Sequence, residues 1–174
     1  GFGGGAGEFG HTFAVEDGAV CTCGKRGCLE TVVADPALIA EGRRVGVLTE
    51  QDGIERLREL AHEGQLQARQ IYHDAGTRLG RAVANLVNVF GPELVLVSGE
   101  GTDAWPYLAE AFTAAYDANV FPPLGHVPVE VDPWDDAKWA IGAATLVLRS
   151  TFAAPLDDDK SDSVRARLEA VAPA

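Results

Sequence analysis

Apolar and polar positions follow two different periods along this chain. The longest run with helical spacing is Gln65 to Phe90, where Leu66, Ile71, Ala75, Leu79, Ala82, Leu86 and Val87 recur on one face. Gly76 and Gly80 stand four apart inside it. Each weakens a helix by about 1 kcal/mol, which predicts a close backbone contact that compensates. Upstream, "ADPALIAEGRRV" predicts a helix from Pro36 to about Glu50, with Asp35 as its cap and Pro36 in its first turn. Gln51 to His62 continues helically, with Ile54, Leu57 and Leu60 or Ala61 on one side. After the Gly91-Pro92 break the pattern changes. "ELVLVSG" predicts a buried strand, and Thr102 or Asp103 is expected to cap a helix through Val120 with Pro106 in its first turn. "VPVEVD" predicts a short alternating strand, and Asp135 to Phe152 a final alanine-rich helix. This succession of helices and strands predicts an α/β fold. The tail "PLDDDKSDSVRARLEAVAPA" is charged and rich in small residues, expected as a brief helix with Val164, Leu168 and Val171 inward, or as disorder.

Composition narrows the picture only modestly. With 174 residues, 47% hydrophobic and 23% charged, and a mean hydropathy of +0.01, the chain has a globular profile and can bury one sizeable core. A net charge of −12 and a pI near 4.6 argue against this segment gripping nucleic acid, because phosphate binding needs clustered lysine and arginine. No apolar run approaches the roughly 20 residues of a membrane span, and no signal peptide opens the chain, so cytoplasm is the expected location. The chain contains no methionine and opens on "GFGGGAGE". It is therefore expected to be a piece of a larger protein, with part of the function preceding Gly1.

The cysteine pattern changes the picture most. All three cysteines fall between Cys21 and Cys28, ten residues after His11. Three cannot all pair internally, a Cys-x-x-Cys redox motif is missing, and Gly24 and Gly27 bracket a turn too polar for a core. Zinc needs about four ligands in a tetrahedron, commonly thiolates and an imidazole. Cys21, Cys23, Cys28 and His11 supply that set, on a loop that glycine lets turn tightly, with Lys25 and Arg26 expected to offset thiolate charge. Four protein ligands make a closed site, so the zinc is expected to be structural.

The order Glu8-x-Gly10-His11 followed by Cys-x-Cys-Gly-x-x-Gly-Cys-x-Glu resembles the signature of the ROK family, which groups sugar kinases with sugar-responsive transcriptional regulators. The match runs from Gly4 to Glu30 in unbroken register, and agreement continues through "GPELVLVSGEG" and "WAIGAATLVL" to about residue 152. The resemblance implies an actin-like ATPase, ribonuclease-H-like fold of two α/β lobes. Residues 1–152 would be an incomplete C-terminal lobe with a zinc loop at 11–30, and residues 153–174 a tail. It assigns His11, Cys21, Cys23 and Cys28 to zinc, and Glu8, His11 and Glu30 to sugar hydroxyls. Carboxylates accept hydroxyl hydrogen bonds well, and a histidine can give one nitrogen to a metal and the other to a ligand.

The turn "SGEG" resembles the place where the family's kinases meet a nucleotide, through Gly99 and Gly101. Glu100 departs from that pattern, since a carboxylate there repels phosphate. Elsewhere, His62, His73 and His126 are expected to face solvent, and Trp134 and Trp139 to be packing anchors. Three readings follow. The first is the sugar-sensing half of a ROK transcriptional regulator, whose DNA-binding domain lies upstream. The second is half of an ATP-dependent, glucokinase-like sugar kinase, and the third a zinc-stabilised interaction module. The first is favoured, as a homo-oligomer responding to a hexose or derivative.

Overall fold

A computed structural model describes residues 7–135 and 137–152. The elements are α1 (Glu30–Val33), α2 (Asp35–Arg44), α3 (Ile54–His62), α4 (Leu66–Phe90), β1 (Val95–Ser98), α5 (Trp105–Asn119), β2 (Val129–Asp132) and α6 (Ala137–Phe152). The fold is mixed α/β. It divides into one unit within Gly1–Trp134 and a second, holding α6, within Asp135–Ala174. The expected tail helix and the opening glycines up to residue 6 lie outside the described residues.

The first unit is built around α4. Gln65 caps it, its side-chain oxygen accepting from Ala68 N at 2.7 Å. The N-terminal half buries Ala68, Ile71, Tyr72 and Ala75 against Leu38, Leu48, Leu57 and Ala61 from α2, α3 and their connection. The C-terminal half packs Val83, Ala84 and Val87 against Phe112 and Tyr116 of α5 and Val127. Full burial of each large apolar side chain here is worth about 1.5–3 kcal/mol. Within this core Phe112 and Tyr116 stack at 5.8 Å, and the Tyr116 hydroxyl donates to Val127 O at 2.9 Å.

The two glycines of α4 do what their spacing predicted. A Cβ on Gly76 would stand 2.5 Å from Leu108 O, and one on Gly80 would fall onto Phe112 O. Helices α4 and α5 thus touch backbone to backbone. Leu66, however, expected inward, is 78% exposed at the first turn of α4.

Several boundaries depart from the sequence expectation for physical reasons. Helix α2 stops at Arg44 rather than near Glu50. The chain turns back so that Leu48 lies on Gly42, and the Arg43 guanidinium donates to Thr49 O, Glu50 O and Asp52 O, fixing a loop there. Asp35 is the first residue of α2 and makes no side-chain cap. Neither Thr102 nor Asp103 caps α5. A 3-10 turn, Glu100–Ala104, precedes it, and the buried Thr102 hydroxyl donates to Gly99 O at 2.7 Å while accepting from Trp134 N at 3.1 Å. Pro106 does lie in the first turn of α5.

Strands β1 and β2 pair in parallel, Val95 with Val129 through Ser98 with Asp132. The expectation of a buried strand is corrected. Val95 joins the α4–α5 core, but Leu96, on the opposite face, is 59% exposed. In the second unit α6 forms as expected, starting at Ala137, with Trp139 64% exposed.

Candidate metal centre and flanking carboxylates

Short elements frame the cysteine loop. His11 closes a 3-10 turn, Phe9–His11. The chain then runs out past Phe13, which bridges antiparallel to Cys28, and back through a hairpin marked by the Val20–Arg26 bridge. Cys21 N donates to Lys25 O at 2.8 Å and Gly24 N to Cys21 O at 2.9 Å, so the tip is a tight turn. Gly27 requires its glycine twice over: φ is +71°, and a Cβ would fall onto Val15 O. Cys28 then leads directly into α1, whose first residue is Glu30.

The folding back gathers the four residues singled out in the sequence. The ligand atoms of His11, Cys21, Cys23 and Cys28 all lie within 4.8 Å of one another. Cys21 Sγ is 3.4 Å from His11 Nδ1 and Cys23 Sγ is 3.6 Å from Cys28 Sγ. The edges of a tetrahedral zinc site with ordinary Zn–S and Zn–N bonds measure roughly 3.5–3.8 Å. The donor set therefore fits zinc in kind, number and spacing, and can hold such an ion. Cys21 and Cys28 are buried while Cys23 is exposed.

Burial and a 3.0 Å hydrogen bond to Glu30 Oε1 push the Cys21 thiol up to about 12. The Cys23 thiol is lowered, first by the Lys25 backbone N–H and then by Cys21, with the Lys25 charge contributing least. Glu30 is held below the ordinary carboxylate range by the Cys21 thiol and, secondarily, the Thr22 hydroxyl at 3.1 Å. A metal at this position would have to displace the Cys21 proton, so its affinity would weaken as pH falls. Lys25 is less a counter-charge than a clasp, its ammonium donating to His11 O at 2.9 Å. Arg26 turns to Gly18 O at 3.3 Å.

Glu8 and Glu30 flank the imidazole on its two nitrogens. Glu30 Oε2 is 3.7 Å from Nδ1, on the sulfur side, and Glu8 Oε2 is 3.7 Å from Nε2. The three residues expected to meet a sugar are thus brought together. A groove of about 560 Å³ runs beside Glu30, lined by Val20, Thr22, Ala37 and Arg44, with neither Glu8 nor His11 on its wall. Thr22 escaped the sequence reading, although its place between Cys21 and Cys23 was a signal.

The other candidate turn stands apart from this cluster. Gly99, at φ +124°, ends β1, and Gly101 lines a cavity of about 170 Å³ with Ser98, Thr102, Arg58 and Tyr72. Among the described residues, the Tyr72 hydroxyl and Arg58 Nε are buried without a hydrogen-bond partner, and burial pushes the Tyr72 hydroxyl up to about 12. No sequence pattern marked these two. His62, His73 and His126 are exposed, as expected.

A mixed α/β unit with a three-cysteine, one-histidine loop between two carboxylates is the class of protein this geometry defines. The chain belongs to the ROK family, whose model matches residues 1–150. It is 30% identical over 155 residues to the DNA-binding transcriptional dual regulator NagC of Escherichia coli K12, covering 84% of this chain and 38% of that protein. It is 34% identical over 132 residues to a glucokinase of Halalkalibacterium halodurans, covering 67% of this chain and 39% of that one. Among solved structures, the ROK hexokinase of Thermus thermophilus superposes with a TM-score of 0.67 at 26% identity, over 84% of this chain and 49% of the hexokinase. The chain spans about two fifths of the length of these curated relatives.

Proposed function

We propose that this chain is the sugar-sensing effector region of a ROK-family transcriptional regulator, acting in the cytoplasm. In this reading residues 1–152 are part of the C-terminal lobe of an actin-like ATPase, ribonuclease-H-like fold, with its zinc loop at 11–30. His11, Cys21, Cys23 and Cys28 hold a structural zinc, and Glu8, His11 and Glu30 hold a hexose or hexose derivative. DNA contact belongs to a domain preceding Gly1, consistent with the acidic charge of −12 here.

One observation carries the reading: His11 offers Nδ1 to the sulfur cluster and Nε2 to Glu8. A metal on Nδ1 fixes the ring's tautomer and angle, leaving Nε2 and two carboxylates as partners for adjacent hydroxyls. The metal would also replace the Cys21 proton and return a Glu30 oxygen to the ligand. Calorimetric titration of a hexose panel against the intact parent protein and its Glu30→Gln variant is the test. Losing one buried hydrogen-bond partner costs ~1–3 kcal/mol, so affinity should fall about ten-fold or more. Equal affinities, or no binding by either protein, would end the sugar-site reading.

A sugar kinase is the second reading, supported by the glucokinase similarity and by the glycine turn at Gly99 and Gly101. Glu100 between them weighs against a bound phosphate. Titration with ATP and magnesium, followed by a hexose phosphorylation assay, separates the two: nucleotide binding or turnover would favour the kinase.

A further inference from the structure

We propose that Cys23 and Cys28 are an oxidative modification site, closed to a disulfide by a peroxide with release of the metal. The proposal rests on the metal-site reading above and adds a reactivity to it. Three features of the loop carry it.

The first is distance. The two sulfurs stand 3.6 Å apart and a disulfide bond is about 2.05 Å, so the sulfurs must approach by only about 1.5 Å. The second is access. Cys23 is exposed at the hairpin tip, whereas Cys21 and Cys28 are 4% and 1% exposed. An oxidant from solvent therefore meets Cys23 first, with Cys28 in reach behind it as the resolving group. The third is the arrangement of the remaining sulfur. Cys21 Sγ is buried beside His11 Nδ1 at 3.4 Å, away from an oxidant in solvent. A bridge from Cys21 to Cys23 would moreover close a strained ring across one residue. The pair that closes is thus Cys23 with Cys28.

The chemistry balances with hydrogen peroxide as the oxidant. The Cys23 thiolate attacks one peroxide oxygen, the O–O bond breaks, and the departing oxygen takes a proton from solvent and leaves as water, giving a sulfenic acid. The Cys28 thiolate then attacks Cys23 sulfur, the S–O bond breaks, and the departing oxygen takes a second solvent proton and leaves as water. The two cysteines lose two electrons together, and the peroxide takes both. Only Cys21 and His11 of the original four then remain as donors, too few to retain a structural zinc.

The zinc-loaded chain is treated with hydrogen peroxide while a chromogenic chelator reports released metal, and is then alkylated and digested with trypsin. Cleavage after Lys25 and Arg26 puts Cys21 and Cys23 on one peptide and Cys28 on another. The expected result is one zinc released per chain, in step with a cross-linked pair of these peptides whose fragmentation assigns the bond to Cys23 and Cys28. Reduction with added zinc should reverse both. A Cys28 that remains alkylatable, a Cys21–Cys23 bridge, or oxidation with zinc retained would overturn the proposal. Protein that holds no zinc before peroxide is added instead defeats the metal-site reading on which it rests.

Discussion

Cys21 sits where three influences meet: burial, the imidazole of His11 and the carboxylate of Glu30. Its replacement is the sharpest residue-scale test of the metal centre. Cys21→Ser should lower zinc content from near one per chain to near zero by elemental analysis. It should also lower thermal stability strongly, because metal-binding free energy at such a site is folding free energy. The pH response of chelator-treated protein follows from Glu30. Its carboxyl is held below the ordinary range in the folded chain. The stability this contributes is present above the unfolded value and is lost as pH falls through the folded one, in a window starting at about pH 5. Cys21 acts in the opposite sense. Raised in the fold, it contributes stability below its ordinary value and loses it as pH climbs toward about 12. Denaturant unfolding from about pH 6 to pH 3 should therefore show a steeper decline for the native chain than for Glu30→Gln.

At the scale of elements, the α4–α5 contact sets the stiffness of the first unit. Alanine at a helical glycine gains about 1 kcal/mol in propensity, yet Gly80→Ala should destabilise. Its methyl would meet the Phe112 backbone, which cannot step aside without moving α5. Overpacking of this kind typically costs 1–3 kcal/mol, and a lower denaturant midpoint measures it. Gly142→Ala in α6 is the contrast, since none of the described residues stands within 4 Å of a methyl at that position. Helicity followed by circular dichroism should hold or rise. The spacing of Gly76 and Gly80 made the close contact legible, because two helix-weakening residues on one face have to be offset. The end of α2 was not legible. "GRRV" continues a helical pattern, and what stops it is Arg43 collecting three carbonyls from a loop whose path local sequence does not encode.

For the molecule as a whole, the apolar surface is the telling feature. Phe90, Leu96 and Phe121 are each more than half exposed, and the described sheet has only two strands, so each has an open edge. Unpaired edges and apolar surface favour association. Sedimentation velocity should show a mass that grows with protein concentration, and Leu96→Lys should shift it toward the monomer. A concentration-independent monomer would count against a homo-oligomer. Among the described residues no helix is long and apolar enough to cross a membrane.

What the sequence determined by itself was which donors the loop gathers and the type of most elements. Three cysteines and a histidine at those spacings, with Gly24 and Gly27 between them, leave few arrangements other than convergence, because spacing and turn geometry are local properties. Helical periodicity likewise marked α3 and α4 to within a few residues, and Pro106 marked the start of α5. Only the tertiary structure decided which nitrogen of His11 faces the sulfurs and which faces Glu8. It also decided that Lys25 clasps the His11 backbone, that Thr102 joins two turns instead of capping a helix, and that Tyr72 and Arg58 share a cavity. Most of these depend on contacts between segments well separated in sequence. Such contacts are settled when α4 packs on α5 and the loop folds onto α1, by a balance of burial and hydrogen bonding that no short stretch of sequence carries.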